Sequence, residues 1–401
     1  MSKYIKRILY VDRVLPYIDK NIIKVLTGQR RVGKSYLLFQ IIDMIKEKHG
    51  QANIIYINKE LNEYDRLVTH HQLSEHIENK SQKDQINYVF IDEIQEIKEF
   101  EKSIRHFQAK ENYDIYITGS NAEMLSGELA TYLSGRYIEI SIYGLTLKEF
   151  QQFHNLPDTN ETLQKYLKFG GLPYLIHLEL EDTIIFDYLK NIYAAILYKD
   201  LITRYNIRNV QFLENLVAFL ADNVGSIVSA SKISKFLKSQ QINISTPVIL
   251  NYLHQLSTVF FINKVKRTSI KGKKIFEIGE KYYFEDLGIR NAIASYSPEH
   301  IHKIMENAVF LHLKACGFIV FVGTENDKEV DFIGIRNNEK MYIQVTFRLT
   351  DKSTIEREFG NLQSIQDNYP KMVVSLDEFF ENTNIAGIQH IHLRKFLGTY
   401  W

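Results

Sequence analysis

Cysteine occurs once in these 401 residues, at Cys316, which excludes an intramolecular disulfide and fits a reducing compartment. Flanked by Ala315, Gly317 and Phe318, that thiol reads as a buried one. Proline is scarce too, with six residues and no low-complexity linker, so domain boundaries must be sought in changes of pattern. An excess of charge of one sign is missing: 49 Lys and Arg face 48 Asp and Glu, net +1. A globally basic nucleic-acid surface is thereby excluded, and any such surface must be local. No run of about 18 apolar residues is present to span a membrane, and no long apolar segment follows the charged start Met1–Arg7. The expectation is a cytoplasmic protein without a signal peptide. What is there is a 45% hydrophobic chain, long enough for two or three domains with sizeable cores.

The most informative stretch is Thr27-Gly28-Gln29-Arg30-Arg31-Val32-Gly33-Lys34-Ser35, which fits the phosphate-cradling pattern Gly-x-x-x-x-Gly-Lys-Ser. Ile22 to Leu26 before it reads as a buried strand. Behind it Tyr36, Leu37, Leu38, Ile41, Ile42 and Ile45 recur at helical spacing. Strand, glycine loop, helix is the context the motif requires. The glycines let the backbone wrap a phosphate, and the helix N-terminus aims free amides at its charge. Lys34 is expected to reach the β- and γ-phosphates, and Ser35 to offer its hydroxyl to Mg2+. Residues Gly28 to Tyr36 therefore form the candidate ATP-binding loop.

Ala52-Asn53-Ile54-Ile55-Tyr56-Ile57-Asn58 reads as a second strand, followed by a polar helical stretch whose His70, His71 and His76 do not share one face. Next, Tyr88-Val89-Phe90-Ile91-Asp92-Glu93 is an apolar run ending in two carboxylates, as a buried parallel strand with its active groups at the C-terminal end should read. Asp92 is the candidate magnesium ligand and Glu93 the candidate base for an attacking water. A further strand, Tyr113 to Thr118, runs into Gly119-Ser120-Asn121. Ser120 and Asn121 fit either a γ-phosphate sensor or an ordinary helix N-cap before Ala122.

These runs, with Leu133-Ser134-Gly135-Arg136 ahead of the strand Tyr137–Ile142, resemble in order the prokaryotic AAA-type ATPases that carry a C-terminal domain of unknown function. The resemblance extends through Gly170-Gly171-Leu172-Pro173 and Ile196-Leu197-Tyr198-Lys199-Asp200, and so covers nearly the whole chain. It implies that Ser120 or Asn121 is the sensor. It also implies that Arg136 is a candidate arginine finger completing a neighbouring subunit's site in a homo-oligomer, the alternative being a surface arginine paired with a carboxylate.

Downstream, helical spacing runs from about 145 to 206. Three helices then begin near Asn209, Ser229 and Thr246, and two strands are expected at 259–262 and 274–278. That order is the winged helix-turn-helix plan. The intervening Lys264, Lys266, Arg267, Lys271, Lys273 and Lys274, free of acids, suit DNA phosphates, a solvated hairpin or a protein-docking surface equally. From 298 on, a helix bearing Glu306, a strand bearing Asp331 and a strand bearing Gln344-Val345-Thr346 resemble a restriction-endonuclease-like fold. Thr346 stands where that resemblance implies a lysine, so Glu306, Asp331 and Gln344 form a possible vestigial nuclease site.

The expected architecture is α/β: an AAA-type P-loop ATPase core (1–145), a helical lid (146–206), a winged helix (207–297) and a degenerate endonuclease-like domain (298–401). The expected activity is ATP hydrolysis with Mg2+, coupled to DNA or a protein partner. The alternatives are a DNA-acting nuclease-ATPase of a defence or mobile-element system and a signalling or scaffold ATPase.

Overall fold

A computed structural model describes residues 4–125, 133, 135–270, 279–325, 328–349, 352–378 and 383–400. The fold divides into two compact units, residues 1–142 with 258–260, and residues 143–257 with 261–401.

The first unit opens with helix α1 (Ile8–Val14), ended by a 3-10 turn (Leu15–Tyr17) at Pro16. Five strands follow: β1 (Ile23–Thr27), β2 (Asn53–Asn58), β3 (Asn87–Asp92), β4 (Tyr113–Gly119) and β5 (Tyr137–Ser141). They form one sheet in the order β2-β3-β4-β1-β5, with every pairing parallel. Every residue of β1, β3 and β4 is buried, which is why these strands read as near-continuous β-branched and aromatic runs. Helices α2 (Lys34–His49), α3 (His70–Lys80) and α4 (Phe100–Gln108) lie between strands along the chain. Leu73 and Ile77 of α3 and Ile104 and Phe107 of α4 join Val25, Ile57, Ile91 and Ile117 in one apolar cluster. Burying each such side chain contributes about 1.5–3 kcal/mol. Because β4 is inserted between β1 and β3, the ends of all three strands open at one edge, and a ligand crevice forms at such an edge.

The second unit begins with α5 (Leu147–His154), capped by a Thr146–Glu149 box, then α6 (Asn160–Phe169) and α7 (Asp182–Ala195), which continues as a π-helical turn through Ile196–Thr203. Helices α8 (Val210–Asp222), α9 (Ala230–Ser239) and α10 (Thr246–Thr258) come next, interleaved with β6 (Ile227–Val228), then β7 (Ile262–Val265), β8 (Arg267–Ser269) and β9 (Glu280–Phe284). Strands β6, β9 and β7 make a three-stranded antiparallel sheet.

Helix α11 (Leu287–Ala294) and helix α12 (Ile301–Ala315) lead to β10 (Ile319–Glu325), β11 (Lys328–Arg336) and β12 (Glu339–Val345). Helix α13 (Lys352–Gln363), β13 (Lys371–Ser375), β14 (Asn384–Ile385), β15 (Ile388–His392) and α14 (Leu393–Gly398) close the chain. The second sheet runs β14-β15-β13-β12-β11-β10-β8.

Of the hairpin expected around Lys264 to Lys274, the second strand at 274–278 lies outside the described residues, and the rest differs from the expectation. The strand paired with β7 is β9, beyond the expected 274–278, and Arg267–Ser269 runs parallel to β10 in the larger sheet instead of forming a free wing. Backbone groups at a sheet edge need partners, and β10 supplies them here. Residues 271–278, which include Lys271, Lys273 and Lys274, lie outside the described residues.

The Gly170-Gly171 pair has a packing explanation. Gly170 ends α6 at φ +79°, and a Cβ there would lie 2.5 Å from the Gly288 amide nitrogen and 2.6 Å from the Asp286 carboxylate. That carboxylate accepts from the Gly171 N–H at 2.8 Å and caps α11 by accepting from Ile289 N–H at 2.8 Å. Cys316 is a buried thiol 3.6 Å from His312 Nε2, and no helix among the described residues is long and apolar enough to cross a membrane.

Candidate nucleotide-binding site

The loop from Gly28 to Gly33 leaves the C-terminal end of β1, and its backbone can only be built where chirality permits. Gly28 has φ +147°, and a Cβ there would lie 2.1 Å from the Ile142 carbonyl oxygen. Gly33, at φ +96°, is the residue before α2 and brings no side-chain cap, so none competes for the first-turn amides. Arg31 also takes positive φ, at +74°, a cost that persists where the surroundings enforce it. Val32 is buried, and its carbonyl accepts from the buried Arg7 guanidinium at 2.9 Å. Arg7, ahead of α1, is a loop-supporting residue that periodicity could not reveal, because its partner is a backbone atom 25 positions away.

Lys34 is buried, and its ammonium donates to the carbonyls of Gly28 (3.0 Å) and Gln29 (3.1 Å) while facing Glu93 at 3.5 Å. Gln29 is 1% exposed, and neither polar atom of its side chain has a hydrogen-bond partner. Arg30 pairs with Glu60 at 3.0 Å. Tyr36 lies exposed on the first turn of α2.

Asp92 ends β3, 1% exposed. Its Oδ1 accepts from the Thr118 hydroxyl, whereas Oδ2 is buried and unpartnered. Burial raises its pKa, opposed by the Ser35 and Thr118 hydroxyls and by Lys34. An orphaned carboxylate oxygen beside a helix-N-terminal serine fits a hard, oxygen-seeking cation. Among the described residues there is no cluster of three or more His, Cys, Asp and Glu able to hold a metal by themselves. Asp92 and Ser35 thus fit Mg2+ as an ion that shares its ligands with nucleotide phosphates.

Glu93 follows in the left-handed region at φ +56°, aiming its carboxylate back toward the loop lysine. Its Oε2 accepts from the Ser120 hydroxyl at 2.8 Å and from the Gln95 amide, and its backbone N–H donates to Thr118 Oγ1 at 3.0 Å. Burial pushes this carboxyl up, but Lys34, Arg30, Gln95 and Ser120 together hold it down at about 2. Ser120 and Asn121, alternatives in the sequence, part company here. Ser120 meets Glu93, while the Asn121 Oδ1 accepts from the Glu123 N–H at 2.7 Å, the bond of a helix cap.

Arg136 stands elsewhere. Its carbonyl accepts from the Ile23 N–H at 2.9 Å, and Tyr137 pairs with Ile23, so it sits where β1 begins, whereas the phosphate loop lies where β1 ends. Four residues of strand separate those ends by roughly 13 Å. The side chain is exposed, with Nη1 3.5 Å from Gln108 Oε1.

In the second unit, Glu306 of α12, Asp331 of β11 and Gln344 of β12 do converge. Gln344 Oε1 accepts from Asp331 N–H at 3.3 Å, and Asp331 Oδ2 accepts from Val345 N–H at 2.8 Å. At their centre is a residue absent from the sequence-based set, Lys281 of β9. Its ammonium lies 2.9 Å from Glu306, 2.8 Å from Glu329 and 3.5 Å from Asp331, with the side chain 3% exposed. The alternation of β9 gave the only signal for it, a lysine in phase with Tyr283 on a buried strand. Among the cations offered for DNA, Lys264 pairs with Glu280 at 2.5 Å and Arg267 faces Glu329 at 4.0 Å, leaving Lys266 exposed.

A family model described as an AAA domain matches residues 20–151, and one described as a domain of unknown function matches 160–300. The chain is 36% identical to an uncharacterized protein of Haemophilus influenzae across 99% of this chain and 100% of that protein. It is 31% identical to an uncharacterized protein of Methanocaldococcus jannaschii across 92% of this chain and 86% of that one. A Walker-type ATPase of Pyrococcus abyssi shares the fold at TM-score 0.50 and 15% identity, covering 72% of this chain and 96% of that chain.

Proposed function

The chain belongs to the AAA-type P-loop ATPases, and on that premise we propose that it hydrolyses ATP as a nucleotide-dependent switch whose second unit conveys the nucleotide state to a protein partner. The observation that carries the reading is the pairing of an orphaned Asp92 oxygen with an ionised Glu93 held next to Lys34.

In this reading the ATP phosphates take the place of the Gly28 and Gln29 carbonyls and of Glu93 as partners of Lys34, and the α2 amides bind the same charge. Asp92 and Ser35 hold Mg2+, which when bound neutralises charge on the β- and γ-phosphates. Glu93, relieved of its lysine, is freed to take a proton from the attacking water, with Ser120 fixing its Oε2. A carboxyl held near 2 is a weak base, so loss of the Lys34 contact couples ATP binding to base strength. Asn121 orders the turn after β4. Arg136 sits at the opposite strand end from its own loop, so a finger role places it in a neighbouring copy's site.

The helices α8 to α10 with the β6-β9-β7 sheet support the winged-helix reading, and the order α12, β10, β11, β12, α13, β13 supports the endonuclease-like one. A protein partner is favoured over DNA because Lys264 and Arg267 already face carboxylates and α10 exposes Val248, Leu250, Asn251 and His254 without a cation. The test is steady-state ATP turnover by wild type and Glu93→Gln, each with and without single- and double-stranded DNA. Turnover that vanishes in the variant and ignores DNA is expected. DNA-stimulated turnover would replace the protein partner with a DNA substrate, and normal turnover by Glu93→Gln would remove the base assignment.

A further inference from the structure

The second unit holds a buried cluster that the ATPase reading leaves unused. Glu306, Glu329 and Asp331 come from α12 and β11, and Lys281 reaches all three from β9. Three carboxylates pressed together repel one another and pay a desolvation cost, which a cation among them offsets. A divalent metal is one solution, and an ammonium is another.

The hydrogen bonds distinguish the two. Asp331 Oδ2 is already taken by the Val345 N–H, Glu306 Oε1 by the Tyr283 hydroxyl at 2.6 Å as well as by Lys281, and Gln344 Oε1 by the Asp331 N–H. Among the described residues no side-chain oxygen of this cluster is buried and without a partner, whereas Asp92 in the nucleotide site has one. The ammonium also bridges separate elements. Lys281 and Tyr283 rise from one face of β9 onto Glu306, and the Asn307 side chain pairs with both the N–H and the carbonyl of Phe284 at 2.9 Å. The cluster thus cross-links the three-stranded sheet to α12 and β11.

We propose that Lys281 is the resident cation of this cluster, taking the place a divalent ion would need, and that the second unit therefore binds no metal there and cleaves no phosphodiester. The unit is a rigid element joined through an ammonium, with the three carboxylates serving as its ligands. Removing the ammonium leaves Glu306, Glu329 and Asp331 with uncompensated charge, which a divalent ion of oxygen preference would relieve.

The experiment is MnCl2 titration of the full chain without nucleotide, by calorimetry and by thermal melting. It uses an Asp92→Asn background so that the phosphate-loop site contributes nothing. The parent is expected to show no saturable Mn2+ site that depends on Glu306. Lys281→Ala is expected to gain one site, binding at least about tenfold tighter than the parent, with a melting temperature that rises on adding Mn2+ and a site that disappears when Glu306→Gln is added. Should Lys281→Ala fail to fold, Lys281→Met, which keeps the aliphatic stem, is titrated instead, and the parent measurement still decides the first half. The proposal is overturned if the parent binds Mn2+ in a Glu306-dependent way, or if the folded lysine variant gains no site. Mn2+-dependent nicking of supercoiled plasmid that is lost in Glu306→Gln overturns it as well.

Discussion

Lys34 and Lys281 are both buried and both face carboxylates, and they do opposite things with them. Lys34 stands 3.5 Å from Glu93 and spends its other bonds on two carbonyls of its own loop, next to an Asp92 oxygen and a Gln29 amide that have no partner. Lys281 stands 2.8 and 2.9 Å from two carboxylates in a cluster with no buried, unpartnered side-chain oxygen among the described residues. Unsatisfied buried groups cost about 1–3 kcal/mol each, and a ligand that satisfies them recovers that cost. The first constellation is built to be completed by a ligand, and the second is complete already. Composition does not separate the two, since each is a lysine among acids. What separates them is whether the remaining hydrogen-bonding capacity is used.

Exchanging the lysines for alanine should break this comparison most sharply. Lys34→Ala should lower ATP affinity by at least about 100-fold, seen by titration with a fluorescent ATP analogue, because it removes the charge that meets the phosphates. Its folding stability should fall as well, because Lys34 is the foremost partner holding the buried Glu93 carboxyl down. Lys281→Ala should leave the nucleotide affinity as it was and cost about 3–5 kcal/mol in denaturant unfolding of the second unit, as expected on breaking a buried ion pair.

Glu93→Gln should keep ATP binding and lower turnover by about 100- to 10,000-fold, the usual contribution of a general base, read in a phosphate-release assay. Gly288→Ala should destabilise by about 1–3 kcal/mol, because its Cβ would lie 2.0 Å from the Phe169 carbonyl oxygen, with no effect on nucleotide affinity.

The smallest expected effect concerns pH. Glu93 is held at about 2 against its usual 4.5, so the stability it lends is present above 4.5 and is lost as pH falls toward 2. Ser120→Ala removes one of the bonds that depress it, so acid unfolding followed by circular dichroism should show a shallower loss between those limits. An unchanged acid limb would mean that the Ser120–Glu93 bond does not hold the carboxylate.

Much of the first unit was legible in the sequence. The strand before the loop, the loop itself and the Asp92-Glu93 strand end lie within short stretches whose period and glycine placement announce them. Glu306, Asp331 and Gln344 were also legible, through the order of one helix and two strands. Less legible were Arg7, Thr118 and Lys281, each of which acts through a partner far along the chain or through backbone atoms. Within the segment expected to form a free hairpin, Arg267–Ser269 became β8 on the edge of the larger sheet, because a strand's partner is chosen by tertiary neighbours rather than by its own residues.

By itself the sequence determined a parallel sheet with a phosphate loop at its edge. Buried strands must be apolar, only glycine accepts the backbone of Gly28 and Gly33, and a lysine and serine must follow at the helix start. Tertiary structure alone decided which charges meet. The strand order brought Thr118 and Ser120 to Asp92 and Glu93, and put Arg136 at the other end of the sheet. The packing of β9 brought Lys281 to three acids 25 to 50 positions away. Buried charges are governed by distance and desolvation, which depend on where the chain returns and not on the spacing along it.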